Sequence, residues 1–356
     1  PPQPLAHWIH PLSWIQPRRT SIHPDRTPHR SRFTKYPQFP PLHAIMVQRA
    51  NLPAQIAASL AIGPPATAAV SLPGIFSSHM VLQRDAPLHV WGSAEPGEKV
   101  TVRFNDEEAI ATADDKGHWL VGLPSMKADG KPHRMTVTGT NEIVLEDVLI
   151  GDLWLGSGQS NMEWTLKQST GSAEHITAAD HPEIRLFHVP KVQKPEPATD
   201  VKAEWKVCTP ESVPDFSAVL YHFGLRLHNE LEIPIGLINS SWGGSPIEPW
   251  TVDDNKSGRM YNGMIAPIID FEIRGVIWYQ GETNAINKNG LAYADKMKAL
   301  IEGWRVAFAK AEMPFYFVQI APWSGKRYAP GQLPALWEAQ AATLKIPHTG
   351  MAVITD

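Results

Sequence analysis

The chain has 356 residues, of which 43% are hydrophobic and 19% are charged, so it is long and apolar enough for about two packed domains. Its net charge of -4 and the lack of a basic cluster argue against a nucleic-acid partner. The single cysteine, Cys208, excludes an intrachain disulfide, and zinc-type Cys/His spacings are absent. No apolar run is long enough to span a bilayer, so we expect no membrane span, no metal and no cofactor.

The first 69 residues differ from the rest. Residues 1–45 hold ten prolines, five histidines, six Lys/Arg and one acidic residue, without periodicity, which predicts a disordered or non-native leader. Residues 46–69 combine Arg49, an apolar middle and the small residues Ala-Thr-Ala-Ala, which is typical of a secretory signal peptide. We therefore expect a secreted or periplasmic protein, the alternative being a flexible Ala/Pro-rich leader.

Residues 70–147 have a β pattern. Short stretches rich in β-formers at 100–106, 118–124 and 133–140 are separated by Gly/Pro/Asp turns. This spacing predicts an antiparallel β-sandwich domain. No cluster of catalytic residue types is found there, so a supporting or carbohydrate-facing role is expected.

From residue 148 to residue 356, strands and helices alternate. The strand-like stretches are 148–158, 184–190, 233–244, 273–284, 314–322 and 351–356, and the helix-like stretches are 216–231, 291–308 and 333–345. Alternation of this kind predicts an α/β domain with a mostly parallel sheet. Ligands of such sheets bind outside the carboxyl ends of the strands.

Three of these strands end in polar turns that contain glycine: GSGQSNM, NSSWGGS and YQGETNA. A serine on one turn and amide donors on the others are what acyl transfer requires, namely a nucleophile and an oxyanion hole. The predicted nucleophile is Ser160. The predicted oxyanion donors are the backbone N–H groups of Ser160 and of Gly243 or Gly244, with the side-chain amide of Gln280 or Asn284 as the third. Each residue alone could equally be an ordinary turn residue, so the prediction depends on their joint appearance.

Three neighbouring polar residues complete the predicted site. They share the turns with the nucleophile and the amide donors, and we predict that they bind substrate: Gln159, Asn161 and Glu282.

The blocks GSGQSNMEW, GLINSSWGGSPIEPW and IRGVIWYQGETN resemble the sialate O-acetylesterase family of the SGNH hydrolase superfamily. The resemblance runs from about Leu72 to Asp356. It implies a three-layer α/β/α hydrolase domain after a β domain, with Ser160 as nucleophile. The substrate implied is a small-molecule or oligosaccharide acetyl ester.

Two features depart from the family pattern. The family carries its catalytic Asp and His in a D-x-x-H block, and no such block follows QGETN here. We therefore expect the catalytic base to be missing from this chain, as in a fragment. The link between Trp250 and Tyr261 is also shorter than in many members, which affects one wall of the site.

Three functions are compatible with the sequence. The first is a sialate-type carbohydrate O-acetylesterase, and the second is an acetylxylan-type esterase that acts on plant polysaccharide. The third is a non-catalytic sugar-binding protein that keeps the fold.

Overall fold

The computed structural model describes residues 69–253, 256–322 and 327–354. The predicted leader and all but the last residue of the predicted signal peptide lie outside the described residues. In chain order the strands are β1 Val81–Gln83, β2 Leu88–Ser93, β3 Lys99–Phe104, β4 Glu107–Thr112, β5 His118–Leu123, β6 His133–Thr138, β7 Glu142–Gly158, β8 His181–His188, β9 Trp205–Cys208, β10 Ile235–Ser241, β11 Gly275–Tyr279, β12 Phe315–Val318 and β13 Thr349–Ala352. The α-helices are α1 Ser160–Glu163, α2 Ser172–Thr177, α3 Ala218–Leu231, α4 Glu282–Ile286, α5 Tyr293–Ala307 and α6 Gln332–Thr343.

The N-terminal region is built from antiparallel strands. Strand β3 lies between β4 and β6, β6 pairs with the first part of β7, and β2 pairs with β5. Buried and more exposed side chains alternate along β3, with Val100, Val102 and Phe104 buried. This alternation is typical of a strand that packs one face on a core. The three β-rich stretches predicted from the sequence are confirmed as β3, β5 and β6.

A parallel sheet forms the rest of the described chain, in the order β13-β12-β11-β7-β10-β8, with β9 antiparallel at one edge. Its central strands are buried on both faces, as their unbroken apolar runs require. The predicted α/β class is confirmed. The last strand begins and ends earlier than predicted, at Thr349 and Ala352.

Helices cover both faces of this sheet. On one face Phe223 of α3 packs edge-on against Trp154, with ring centroids 5.0 Å apart. On the other face Trp304 of α5 contacts Trp278 and Phe315, each with centroids 6.0 Å apart. No helix of the described ranges is long and apolar enough to cross a membrane.

Strand β7 runs without interruption across the predicted domain boundary at residues 147 and 148. Its first part pairs with β6 and its second part pairs with β10 and β11, so the boundary is not a linker. At this point Asp147 adopts a left-handed φ of 57°.

The Asp147 carboxylate is held by a buried guanidinium. Arg185, which is 3% exposed, donates to its two oxygens at 2.8 and 3.0 Å, and the His79 ring lies 2.7 Å away. Burial alone would raise the pKa of Asp147, but the hydrogen bonds from Arg185 and His79 outweigh it and hold the pKa below its ordinary value. This pair therefore fixes the bend of β7 against β8.

We expect Arg185→Met to lower the free energy of unfolding by about 2 kcal/mol at neutral pH, because it removes one partner of a charged pair. A carboxylate with a depressed native pKa stabilises the fold above its unfolded pKa and loses that contribution as the pH falls through the native value. In urea titrations from pH 7 to pH 3, the free energy of unfolding of the variant should therefore fall less steeply as the pH decreases. Arg226→Met is the control, because Arg226 makes an exposed pair with Glu230 and should change stability by less than about 0.5 kcal/mol. Equal losses in both variants would contradict the assigned role of Arg185.

Candidate active site

The three polar turns meet at the carboxyl edge of the sheet. Strand β7 lies between β10 and β11, and the last pairs of the two ladders align Gly158 with Ser241 on one side and with Tyr279 on the other. The predicted convergence of the three turns is therefore confirmed.

Gly158 ends β7 and allows the sharp turn that follows. Its φ is 137°, and a Cβ at this position would lie 2.1 Å from the Tyr279 carbonyl oxygen. The carbonyl of Gly158 accepts from Trp242 N–H at 3.0 Å, and the next N–H, of Gln159, donates to Tyr279 at 2.9 Å. The turn is thus fixed to both neighbouring strands.

Ser160 is the first residue of α1 and is exposed. Its hydroxyl takes part in none of the hydrogen bonds found between described residues. The backbone of the β10 turn passes close by, because a Cβ built on Gly243 would lie 3.7 Å from the Ser160 Cα. The side chain of Ser160 is therefore available to a ligand beside a glycine backbone.

The N–H of Gly243 is already occupied in this arrangement. It donates to one carboxylate oxygen of Glu163, and the other oxygen is paired with the Lys191 ammonium. The following residue, Gly244, has a φ of 77°, and its carbonyl accepts from the Thr283 hydroxyl at 3.1 Å. No acceptor for the Gly244 N–H is found within the described ranges.

The amide of Gln280 is committed to protein partners. The residue is fully buried, and its Nε2 lies 2.8–3.2 Å from the side-chain oxygens of Asn284 and Gln159 and the carbonyl of Ser245. Its own oxygen accepts from the Tyr293 hydroxyl at 2.7 Å. This contact set differs from the oxyanion-donor role expected for Gln280.

Asn284 is also fully buried. Its oxygen accepts from Ile247 N–H at 3.0 Å, and its Nδ2 donates to the Glu248 carboxylate at 3.1 and 3.2 Å. Both amides predicted as a third oxyanion donor therefore link the β11 turn to the segment after β10 in this structure. The spacing of polar residues in the sequence could not distinguish an oxyanion donor from a buried amide that is bonded to protein oxygens.

The three residues predicted to bind substrate have different surroundings. Gln159 is 3% exposed, and its oxygen faces Gln280 at 3.0 Å and the N–H groups of Gly281 and Thr283 at 3.4 and 3.3 Å. These contacts fit a support for the turns better than a substrate contact.

Asn161 and Glu282 are partly exposed and contact each other. The Asn161 amide donates to one Glu282 carboxylate oxygen at 2.6 Å, while the other oxygen is buried without a hydrogen-bond partner among the described residues. Burial raises the pKa of Glu282, against the opposing effects of the Asn161 hydrogen bond and the Arg327 charge. Glu282 thus has one oxygen held by Asn161 and one buried oxygen with no hydrogen-bond donor among the described residues.

The histidines near this edge do not contact Ser160. His188 ends β8, next to β10, and burial lowers its pKa. His222 lies in α3, where burial and then the neighbouring His175 lower its pKa to about 4. Neither ring is hydrogen-bonded to the Ser160 hydroxyl. In the part of the chain that the structure describes, no group of three or more His, Cys, Asp or Glu side chains could hold a metal ion.

Comparison with known proteins connects this geometry to a family. Residues 150–355 match the family described as carbohydrate esterase, sialic acid-specific acetylesterase. The chain is 32% identical over 335 residues to human sialate O-acetylesterase, which covers 79% of this chain and 64% of that protein, and 30% identical over 359 residues to the mouse protein. It thus spans about two thirds of the length of these relatives.

A solved structure of a carbohydrate acetylesterase is also similar to this chain. The crystal structure of a carbohydrate acetylesterase from Xanthomonas citri aligns with a TM-score of 0.77 and 39% identity over 81% of this chain and 69% of that chain. The family match covers more than half of the chain and includes all three turns. The chain therefore belongs to the carbohydrate esterase family of sialic acid-specific acetylesterases.

Proposed function

We propose that the protein is a serine-dependent carbohydrate O-acetylesterase that removes acetyl groups from sugar hydroxyls, with sialate esters as the first substrate class. The observation that carries this proposal is the exposed hydroxyl of Ser160, which has no hydrogen-bond partner among the described residues and lies where three strand-end turns meet. Family membership and the similarity to sialate O-acetylesterases support the choice of an acetyl ester.

In the proposed reaction Ser160 Oγ attacks the acetyl carbonyl carbon and gives its proton to a base. The C–O bond to the sugar then breaks, the sugar oxygen takes up a proton, and an acetyl group remains on Ser160 until water removes it. No imidazole contacts Ser160 among the described residues, so we assign the base to a residue outside them. The resemblance to the family supports a histidine for this role.

The negative charge that develops on the acetyl oxygen needs preorganised donors. We propose the N–H groups of Ser160 and Gly244, because Gly243 N–H is bound to Glu163 and the Gln280 and Asn284 amides are bound to protein oxygens. In this scheme Glu163 is a positioning residue that holds the β10 turn against α1.

Glu163 can be tested by two substitutions. We expect Glu163→Ala to lower kcat about tenfold or more with little change in KM, because the turn that carries Gly244 loses its anchor. Glu163→Gln should stay within about threefold of the wild-type rate, since its amide oxygen can still accept from Gly243 N–H. Steady-state kinetics on an acetylated sialoside measure both values. A Glu163→Ala enzyme that is faster than wild type would indicate that Glu163 obstructs the Gly243 donor.

We assign the parallel sheet with helices on both faces to the SGNH type and the antiparallel strands before it to a β-sandwich domain. We also propose an extracytoplasmic location, which the signal-like residues 46–69 support.

The experiment for the function is acetate release from a 9-O-acetylated sialoside and from an acetylated xyloside, each with and without added imidazole. We expect release that depends on Ser160, faster on the sialoside and stimulated by imidazole, because the added base takes the proton of Ser160. A folded protein that releases no acetate under any of these conditions would contradict the proposal. A faster reaction on the xyloside would make acetylated xylan, and not sialate esters, the first substrate class.

A further inference from the structure

One exposed aromatic side chain stands beside the proposed nucleophile. Trp164 is 44% exposed, and it is the only aromatic residue among the large hydrophobic side chains that are exposed in the described ranges. The buried tryptophans of the same region, such as Trp154, Trp250 and Trp278, lie in the core. Most large aromatic side chains of this domain are thus covered by protein, and Trp164 is not.

The local backbone brings Trp164 to the side of α1 that carries Ser160. Trp164 N–H donates to the Ser160 carbonyl at 2.8 Å, which closes one helical turn between the two residues. Residues four apart on a helical turn lie on the same side, with their Cβ atoms roughly 5–6 Å apart. Both side chains are exposed, at the two ends of this one helical turn.

The position of Trp164 is also fixed from its other side. Its carbonyl accepts from Ala218 N–H at 2.9 Å, and the next residue, Thr165, forms a β-bridge with Ser217. The backbone of Trp164 is therefore held between α1 and the start of α3. A rigid backbone lowers the entropy cost of ligand binding by this side chain.

We propose that Trp164 is a stacking platform for the pyranose ring whose acetyl group is attacked by Ser160. The C–H face of a sugar ring is apolar and matches the area and flatness of an indole, while the sugar hydroxyls remain free for polar partners. Glu163, the residue before Trp164, pairs with Lys191, whose ammonium is one such polar partner. This inference rests on the proposed function, since it names the residue that selects sugar esters over other acetyl esters.

The first test measures binding without catalysis. The probe is the methyl glycoside of N-acetylneuraminic acid, which has no acetyl ester to hydrolyse, titrated into the full chain by saturation-transfer NMR. We expect Trp164→Ala to weaken binding about tenfold and Trp164→Phe to stay within about threefold, because the phenyl ring keeps an aromatic face. Leu120→Ala is the matched control, since Leu120 is 54% exposed on β5, away from the three turns, and should leave binding unchanged.

The second test separates a platform from a structural role. In Trp164→Ala, kcat/KM for a 9-O-acetylated sialoside should fall about tenfold, while kcat/KM for p-nitrophenyl acetate, which has no sugar, should be unchanged. Equal losses on both esters, or no loss on the sialoside, would overturn the proposal, as would a wild-type protein that does not bind the glycoside. Binding that depends on Trp164 without any acetate release, even with added imidazole, would refute the proposed esterase while leaving the sugar platform in place.

Discussion

In a form of the protein that includes the catalytic base, replacement of Ser160 by alanine is expected to reduce acetate release by roughly 10⁴-fold or more, to near the uncatalysed background. The variant keeps the turns and their N–H donors but has no oxygen to attack the acetyl carbon. Because Ser160 is exposed and its hydroxyl has no partner among the described residues, the free energy of unfolding should change by less than about 0.5 kcal/mol. Initial rates on an acetylated sialoside and urea denaturation measure the two quantities.

Ser157, a second serine near the end of β7, provides the control. Ser157 is fully buried, and its hydroxyl has no hydrogen-bond partner in the described part of the chain. Ser157→Ala removes an unsatisfied polar group and should leave the rate unchanged while stability is unchanged or raised. A Ser160→Ala protein that hydrolyses the ester as fast as Ser157→Ala would eliminate Ser160 as nucleophile.

Gly158→Ala is expected to have the largest effect on folding, with a loss of about 4 kcal/mol or no soluble protein. The new Cβ would lie 2.1 Å from the Tyr279 carbonyl oxygen, and a φ of 137° is unfavourable for alanine. To relieve this clash, β7 and β11 would have to separate at their carboxyl ends, next to Gln159 and Gln280. The rate should therefore fall together with stability. Thermal unfolding and acetate release of the same preparation test this expectation.

The clash can be distinguished from the backbone strain. Gly171 has a left-handed φ of 71°, but a Cβ built there has no atom within 4 Å. Gly171→Ala should cost only about 1 kcal/mol and should leave the rate intact. If Gly158→Ala were no worse than Gly171→Ala, the tight contact between the ends of β7 and β11 would not be essential.

Most of the architecture followed from hydrophobic runs and turn residues. The stretches that became β7, β10 and β11 are continuous and apolar and end in glycine, so their place in a buried parallel sheet could be predicted. Strand β4 was not predicted, because its sequence EEAIAT is short and partly charged and pairs with β3 at the sheet edge. The antiparallel β9 was likewise missed, since four residues carry little periodicity.

The details of the candidate site depend on contacts between distant residues. Glu163 meets Gly243 across 80 positions, and Gln159 meets Gln280 across 121 positions, and no local pattern encodes either pair. The sequence predicted which turns would meet, because strand ends share an edge. It could not show which amides would be used up by protein acceptors, since a buried network and an oxyanion hole use the same residue types.

The role of Ser160 as nucleophile is tested most directly by identifying the residue that carries the acetyl group. The full chain would be mixed with an excess of p-nitrophenyl acetate, quenched in acid after a short interval and digested for mass spectrometry. We expect an acetyl group on the peptide that contains Ser160, assigned by fragmentation to that serine, and no acetylated peptide from the Ser160→Ala protein. Ester turnover that leaves Ser160 unmodified, with the acetyl group on another residue, would contradict this role.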